Sequence, residues 1–392
     1  MADLLDPPGS PARDASAPGR RSLFDVPAEV AYFNTANLAP LLHSVAQAGE
    51  EALRRRARPW TIMSEDWFTD VETLREQVGR LLGDDAEGVA LVPSTSYGFA
   101  SVAPNLAVSA DERIVVLAEE YPSGIYTWRR LAARRAADVV TAARADGQTW
   151  TEALLEVIDE RTAVVSTPQV HWTDGSWIDL PTVAQRARDV GAALVVDASQ
   201  SLGAVPLDVR TLRPDAVLSV GYKWLLGPFG RSYLWLAPQH REGRPVEENW
   251  IVRDGSEDFA RLVEYRDGYQ PGARRFDQGQ RSAFELTPMA IAALDQLLSW
   301  GVDAVFSALR SVTDRIVERL SGLGLEPVPH PRGPHILSLQ IPADDRETIL
   351  PALARSECFA ALRGTSLRLS PHLHTSSDDI DRLVAALASS IG

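Results

Sequence analysis

The stretch AALVVDASQSLGAVPLDV, residues 192–209, decides the expected fold. Its first part is a run of apolar residues without the alternation of a half-exposed strand, which is typical of a strand buried on both faces of a parallel sheet. The run ends at Asp197, and ligands of such sheets bind outside the carboxyl ends of the strands. We therefore expect Asp197 to face a ligand site, although backbone donors or an arginine could equally satisfy a carboxylate at this position.

The same pattern recurs on both sides of this stretch. Short apolar runs alternate with helical segments, which indicates an α/β fold with a mostly parallel, seven-stranded sheet covered on both faces. The seven runs are GVALVP (88–93), RIVVLA (113–118), ADVVTA (137–142), TAVVST (162–167), AALVVDAS (192–199), DAVLSV (215–220) and SYLWLA (232–237). A second alternation near the C-terminus predicts a small α+β domain.

The length and composition of the chain limit its possible domain organisation and binding partners. We expect a disordered lead rich in Pro, Ala and Ser at 1–22, a large domain at 23–285 whose N-terminal segment packs partly on the small domain, and a small C-terminal domain at 286–392. The net charge of -14 argues against nucleic acid and anionic membranes as partners. The lead lacks the apolar region of a secretory signal, and there is no apolar run of about 18 residues, so we expect a cytoplasmic protein.

A second stretch, LSVGYKWLLGPFG at 218–230, contains the single lysine among 39 lysine and arginine residues. Arginine stays charged, whereas the amine of Lys223 can lose its proton and act as a base or a nucleophile. The commonest nucleophilic use of lysine is a Schiff base with a carbonyl, such as the aldehyde of pyridoxal phosphate. Lys223 and Asp197 follow two apolar runs of one sheet and could meet at one ring, although a residual surface lysine is the alternative.

Together, the two stretches resemble the class V aminotransferase family of fold-type I enzymes that depend on pyridoxal phosphate (PLP). This family includes cysteine desulfurases, selenocysteine lyases, kynureninases and isopenicillin-epimerase-like proteins, and the resemblance runs from about residue 31 to the end of the chain. It implies PLP as cofactor and a homodimer with active sites at the subunit interface. It also implies that Lys223 forms the Schiff base, that Asp197 pairs with the pyridine nitrogen, and that Gln200, with Ser199 beside it, donates a hydrogen bond near the ring hydroxyl.

The resemblance assigns further cofactor contacts one at a time. Thr95 and Ser96 match the family's phosphate grip at a helix N-terminus, where free N–H groups hold anions, although an ordinary N-cap reads the same way. Tyr121 matches the ring that stacks on the cofactor, where many members have histidine. The Tyr222 hydroxyl stands where many members bind phosphate through histidine, and Gln280 lies in a loop that resembles the one reaching the partner subunit's phosphate.

Substrate contacts follow from the same resemblance. Arg368 matches the arginine that binds the substrate carboxylate, for which a guanidinium fork is well suited. Many members have an asparagine near Trp172, and this departure leaves Trp172 and His171 as candidate substrate contacts. His372 and His374 lack further residues at metal-ligand spacing, so we expect no metal.

The sequence leaves the reaction open. An aminotransferase and a lyase that cleaves C–S bonds or eliminates at the β-carbon both fit, and an isopenicillin-N-epimerase-like racemase is the alternative. A cysteine desulfurase is the weaker reading, because the only cysteine, Cys358, begins an apolar run and a buried thiol is usually inert. A nicotinamide-dependent oxidoreductase would need a G-x-G-x-x-G turn after the first strand, which is missing.

Overall fold

The computed structural model describes residues 20–323, 325, 327–328 and 331–390. Its strands are β1 Ala31–Tyr32, β2 Val89–Val92, β3 Arg113–Leu117, β4 Asp138–Ala142, β5 Thr162–Pro168, β6 Ala193–Asp197, β7 Ala216–Val220, β8 Ser232–Leu236, β9 Leu337–Gln340, β10 Cys358–Phe359, β11 Ala361–Arg363 and β12 Ser366–Leu369. Its α-helices are α1 His43–Arg56, α2 Thr69–Leu81, α3 Thr95–Val102, α4 Pro122–Arg135, α5 Trp150–Val157, α6 Leu180–Val190, α7 Val209–Leu212, α8 Leu286–Trp300, α9 Val302–Ser321, α10 Arg346–Arg355 and α11 Ser377–Ala388.

The central sheet confirms the predicted fold class. Its seven strands lie in the order β2-β8-β7-β6-β5-β3-β4. The pairs from β7 through β6, β5 and β3 to β4 are parallel, and β8 runs antiparallel to both of its neighbours. Every residue of β5 is buried, which explains why its sequence, TAVVSTP, does not alternate between apolar and charged residues.

Helices cover both faces of this sheet. One core cluster joins the sheet to α1, α2, α5, α6 and α8, and a second joins its other face to α3 and α4. Local sequence signals define several of these helices. Thr149 and Glu152 form a capping box at the start of α5, and α6 ends at Gly191, whose φ of 77° favours glycine.

The C-terminal part forms a separate small sheet in the order β11-β12-β9, and all of its pairs are antiparallel. The N-terminal strand β1 pairs in parallel with β10, and Ala31 and Phe33 belong to the C-terminal core cluster. Helix α8 packs on α1 and α2. Helix α9 contributes side chains to the first core cluster of the large sheet and also to the C-terminal core cluster. A domain boundary near residue 286 therefore stays a proposal, because the chain passes from one core to the other along α9.

The predicted disordered lead falls mostly outside the described residues, which begin at residue 20. Its last residues belong to the folded structure, because Arg21 opens a short 3-10 helix and pairs with Asp379 near the C-terminus. The Arg21 guanidinium also donates to the carbonyl oxygens of His374 at 3.0 Å and Val30 at 2.9 Å. The residues from 20 to 22, which the sequence analysis assigned to the lead, thus pack against the folded chain.

Within the described residues, no single helix is both long and apolar enough to cross a membrane. The pair α8 and α9 meets the length and composition requirement only together, and the two helices are bent by 79° at the break between them.

A buried ion network ties the sheet to the loop that precedes α8. The Asp277 carboxylate accepts hydrogen bonds from the Leu91 backbone N–H in β2 at 2.7 Å, from Arg75 in α2 at 2.7 Å, and from Arg281 at 2.8 Å. The three charged side chains are fully or almost fully buried. Burial by itself raises the pKa of Asp277, but the charges of Arg75 and Arg281 outweigh that effect and hold it below its usual value.

We expect Asp277→Asn to lower the free energy of unfolding by about 3–5 kcal/mol, because it leaves the buried Arg281 without its counter-charge and leaves the buried Arg75 with only the partly exposed Glu72. Urea unfolding of the apoprotein near neutral pH, at one protein concentration, measures the change. Since the pKa of Asp277 is lowered on folding, its contribution is complete above the unfolded pKa and is lost as the pH falls through the folded one. The matched control is Glu50→Gln in the exposed pair with Arg54, with an expected change of at most ~0.5 kcal/mol. Equal losses in the two variants would contradict this account.

Candidate active site

A cavity opens at the carboxyl ends of the parallel strands, where such sheets bind ligands. It brings together most of the residues that the sequence singled out. Those that line it are Thr95, Tyr121, Trp172, Asp197, Ser199, Gln200, Tyr222 and Lys223. They follow β2, β3, β5, β6 and β7, so five separate segments of the chain meet at one point.

The Lys223 amine lies in the wall of this cavity, with 9% of the residue exposed. Burial is the main cause that lowers its pKa from 10.5 to about 8, and the positive charges of Arg368 and Arg363 lower it further, while Asp197 opposes them. Asp197 acts on the amine through its charge without a hydrogen bond. A substantial fraction of this amine is therefore neutral near physiological pH, as a nucleophile or a general base requires.

Asp197 ends β6, next to the strand that leads to Lys223. Its Oδ1 accepts a hydrogen bond from the Ser199 backbone N–H at 2.9 Å. Burial is the largest influence and raises the pKa of Asp197, while Ser199 and the charge of Lys223 lower it. A buried carboxylate is stabilised by a protonated nitrogen beside it, because the charge-assisted hydrogen bond replaces part of the hydration that burial removes.

Aromatic rings form one side of the cavity. The Lys223 Nζ atom lies 5.7 Å from the centroid of the Tyr121 ring and 5.9 Å from that of Tyr222. Tyr121 meets Trp172 edge to face, with centroids 5.5 Å apart and ring planes at 89°. The Trp172 indole N–H donates to the Glu119 carbonyl oxygen at 2.6 Å, so this side chain is held at the cavity wall. The arrangement provides an aromatic wall beside the amine, in which the Tyr121 ring lies 5.7 Å from the Lys223 Nζ atom.

The expected phosphate grip is only partly at the cavity. Helix α3 begins at Thr95, which lines the cavity, and the preceding Ser94 caps the helix by accepting from the Tyr97 N–H at 3.2 Å. Ser96 is exposed, does not line the cavity, and has its hydroxyl 2.8 Å from that of Ser94. The helix N-terminus and the Thr95 hydroxyl thus point to an anion site more directly than Ser96 does.

Arg368 lies behind Trp172 in β12, with 1% of the residue exposed. Its Nη1 donates to the Trp172 carbonyl oxygen at 2.6 Å, while its Nε and Nη2 have no hydrogen-bond partner among the described residues. Burial, followed by the charge of Arg363, lowers the pKa of Arg368 to about 9, against a smaller opposing effect of Tyr32. A buried guanidinium with free N–H groups favours an anionic ligand.

Besides Ser96 and Arg368, two more predicted residues do not line the cavity of their own chain. His171 does not line it, because the ring is fully buried, stacks on Trp150 with centroids 4.8 Å apart, and has Nδ1 2.8 Å from the Thr173 hydroxyl. The prediction of a substrate contact by His171 is therefore corrected: it faces the core, and the next residue, Trp172, takes the cavity side. Gln280 is exposed and lies outside the cavity, so its contact with a partner's phosphate stays a prediction.

Glu120 is a cavity residue that the sequence analysis missed. Burial raises its pKa to about 7, with His171 opposing and Asp197 adding to the rise. Its Oε1 accepts from the Tyr121 backbone N–H at 2.7 Å, which helps to hold the ring of that tyrosine in place. The signal that could have found it is positional, since Glu120 follows the apolar run of β3 as Asp197 follows that of β6.

The residues of this cavity fit pyridoxal phosphate. This cofactor needs four features. They are an amine that is partly neutral, a carboxylate that can pair with a protonated ring nitrogen, an aromatic face, and a helix N-terminus that can bind a phosphate. All four surround the same cavity.

Comparisons with known proteins agree with this geometry. The family model for aminotransferase class-V matches residues 32–383. The chain is 26% identical to the uncharacterized aminotransferase YcbU of Bacillus subtilis strain 168, over 81% of this chain and 83% of that protein. It is 27% identical to isopenicillin N epimerase of Streptomyces clavuligerus, over 80% of this chain and 82% of that protein.

Solved structures share the fold. A mutant of C-DES with glycine covalently linked to its PLP cofactor superposes with a TM-score of 0.85 and 18% identity, covering 95% of this chain and all of that one. C-DES is described as a cystine C–S lyase in a complex with cysteine persulfide that superposes with a TM-score of 0.84 and 19% identity, covering 93% of this chain and 99% of that one.

The state of Lys223 can be measured directly, because no other lysine interferes. We expect trace labelling of the apoprotein with acetic anhydride to acetylate Lys223 with a pH midpoint near 8, since only the neutral amine reacts. Mass spectrometry of the digested protein across the pH range measures the midpoint. Lys223→Arg is the control and leaves only the terminal α-amine to label. A midpoint at the usual lysine value would show that the amine is solvated rather than buried.

Proposed function

The chain belongs to the aminotransferase class-V family of PLP-dependent enzymes, and on this premise we propose that it acts at the α-carbon of an amino acid with Lys223 as the catalytic amine. Bound PLP supplies an aldehyde that condenses with amines and a ring that stabilises negative charge at the α-carbon. The single observation that carries the proposal is the Lys223 amine, with its pKa lowered to about 8, in one cavity with Asp197. No other described side chain in that cavity is an amine.

Lys223 has two roles in this proposal. Its neutral amine would hold the cofactor by its aldehyde group, and its Nζ would take up and return the proton at the substrate α-carbon. Its burial keeps the neutral form populated near physiological pH. Asp197 holds a proton at the ring nitrogen, which its position at the end of β6 and its rise in pKa on burial favour.

The other cavity residues bind and orient. Tyr121 provides the stacking face, and Gln200 donates to the ring oxygen. The hydroxyl groups of Thr95 and Tyr222 bind the phosphate of the cofactor. Ser96 contributes at the edge of the helix N-terminus. Arg368 binds the substrate carboxylate through its free Nε and Nη2 groups, and Trp172 borders the substrate side chain.

We further propose a homodimer in which Gln280 of one subunit reaches the other subunit's phosphate site, in a cytoplasmic enzyme. Gln280 is exposed and does not contact its own cavity, as this arrangement requires. Several large apolar side chains are also exposed, including Trp60 at 75% and Val263 at 79%, and an interface between copies would bury such surface.

The reaction is that of an aminotransferase or of a C–S or β-eliminating lyase, with an epimerase as the alternative. A desulfurase that carries a persulfide on a cysteine finds no support in Cys358. That thiol is buried in β10, and burial raises its pKa to about 11, so the thiolate is scarce at neutral pH.

Product analysis with a panel of amino acids tests the proposal. An aminotransferase converts an amino acid to its 2-oxo acid in an amount equal to the cofactor, and continues when a second 2-oxo acid is added. A β-eliminating lyase releases pyruvate and ammonia without such an acceptor, and an epimerase changes only the optical rotation. A protein that binds PLP but shows none of these reactions, while its Lys223→Arg variant binds it equally, would overturn the proposal.

We expect Arg368→Gln to raise KM for the amino acid by ~10-fold or more, because a charge-assisted pair contributes about 1.5–3 kcal/mol. The affinity of the apoprotein for PLP should change little, since Arg368 does not line the cavity wall that holds the cofactor. Steady-state kinetics and a PLP titration measure the two quantities. The matched control is Arg355→Gln, an exposed arginine at the end of α10, which should leave KM unchanged. An unaltered KM in the Arg368 variant would remove the assignment.

A further inference from the structure

We propose that Trp224 is a positioning residue that fixes the side-chain amide of Gln200 with its NH2 end as the donor facing the cofactor. The inference rests on the proposed function, because Gln200 acts on bound PLP. Trp224 directly follows Lys223 in the chain but does not line the cavity. It therefore acts through Gln200 and touches neither cofactor nor substrate.

Three hydrogen bonds define the setting of Gln200, which is 5% exposed. The indole N–H of Trp224 donates to Gln200 Oε1 at 2.9 Å. Gln200 Nε2 donates to the carbonyl oxygen of Ala36 at 3.0 Å. The backbone carbonyl of Gln200 is paired with His335 Nε2. Both the side chain and the main chain of this residue are thus held.

A primary amide has nearly the same shape at its two ends, so hydrogen bonds alone decide its orientation. An indole N–H can only donate, and it must therefore face the amide oxygen. A carbonyl such as that of Ala36 can only accept, and it must face the amide nitrogen. The two neighbours specify the same orientation. Since Ala36 takes one of the two N–H groups of Nε2, one remains for a ligand in the cavity that Gln200 lines.

Trp224 itself is held firmly enough to impose this orientation. Its residue is 1% exposed. His335 meets the indole edge to face with centroids 4.2 Å apart, and His372 lies at 5.8 Å with an interplanar angle of 30°. Gly203, at φ +97°, approaches so closely that a Cβ there would lie 2.5 Å from the Trp224 carbonyl oxygen. Gly203 thus lies against the Trp224 main chain, while the two histidine rings pack against its buried indole.

The role matters because this cavity contains no second amide. Gln200 is the only asparagine or glutamine side chain among the described residues that line it. The nearby Trp172 has an indole N–H, but that group is already donated to the Glu119 carbonyl oxygen. Gln200 is therefore the only amide that can donate to the ring oxygen of the cofactor, and the other side-chain donors in the lining include the hydroxyl groups of Ser199 and Tyr222.

The expected signature is a change in the pH titration of the colour of the PLP-loaded protein. A donor on the ring oxygen spreads its negative charge and weakens its hold on the proton of the adjacent Lys223 nitrogen. Loss of the donor therefore raises the pH at which that nitrogen loses its proton. The titratable groups around Gln200 and Trp224 are Lys223, Asp197, Glu120 and Tyr222 on the cavity side, and His335, His372 and His374 behind.

The histidines behind Trp224 do not titrate in the useful range. Burial lowers the pKa of His335 to about 3 and that of His374 to about 4, and it lowers the pKa of His372 as well. They stay neutral, and no described group of three or more His, Cys, Asp or Glu side chains is arranged to hold a metal ion. Their contribution to Trp224 is packing and not charge, so a shift in the titration reports on the cavity.

The experiment compares Trp224→Phe with Gln200→Leu and with the double variant, each loaded with PLP. We expect either single change to raise the titration midpoint by about one pH unit and to weaken PLP binding by the apoprotein by ~10-fold. In the double variant the Trp224 change should add nothing, because its effect passes through Gln200. An additive double variant, or a Trp224→Phe protein with the wild-type midpoint, would overturn the proposal.

Two further variants separate positioning from general packing. Trp235→Phe removes another buried indole whose N–H is also hydrogen-bonded, to Asp85 at 3.1 Å, but it lies in β8 and does not line the cavity. It should destabilise the protein without moving the midpoint. Trp224→His retains a ring N–H and should keep the wild-type midpoint even if the protein is less stable. A midpoint in Trp224→His equal to that of Gln200→Leu counts against the proposal, whereas a wild-type protein that stays colourless with PLP counts against the proposed function instead.

Discussion

The whole site depends on taking one amine and one carboxylate out of water at the ends of neighbouring parallel strands. Burial lowers the pKa of Lys223 to about 8 and raises that of Asp197, so each group is less charged than it would be in solvent. The two are close enough for their charges to interact but do not share a hydrogen bond. This leaves both of them free for a third partner, which explains why a cofactor with an aldehyde and a basic ring nitrogen suits the cavity.

The parts of the chain around the cavity keep water away from these two groups and fix the orientation of the side chains beside them. The N-terminal segment contributes the Ala36 carbonyl, the C-terminal sheet contributes Arg368, and the polypeptide after β7 contributes Lys223 and Trp224. These segments are far apart in the sequence and meet only because β1 pairs with β10 and the central sheet aligns its strand ends. The charge network around Asp277 connects β2 to the loop before α8 and thus supports the same end of the sheet.

Several expectations followed from local sequence because the signals behind them are local. Asp197 ends an apolar run, Tyr121 and Thr95 lie a few residues beyond one, and the parallel sheet brings the ends of these runs to one edge. The same positional rule applies to Glu120, which the sequence analysis overlooked. His171 was misplaced because neighbouring side chains after a strand point to different sides, and nothing in the letters His-Trp says which of the two faces the core.

The sequence by itself determined the fold class and identified the amine on which the chemistry depends. Strands whose apolar residues do not alternate with polar ones are typical of a sheet covered on both faces. A single lysine in an arginine-rich chain indicates an amine whose function requires it to lose its proton. Only the tertiary structure decided how strongly each group is perturbed and which way each amide and indole faces. Burial, the charges of Arg363 and Arg368, and the Trp224–Gln200 hydrogen bond all arise between residues that are distant in the chain, so no local pattern encodes them.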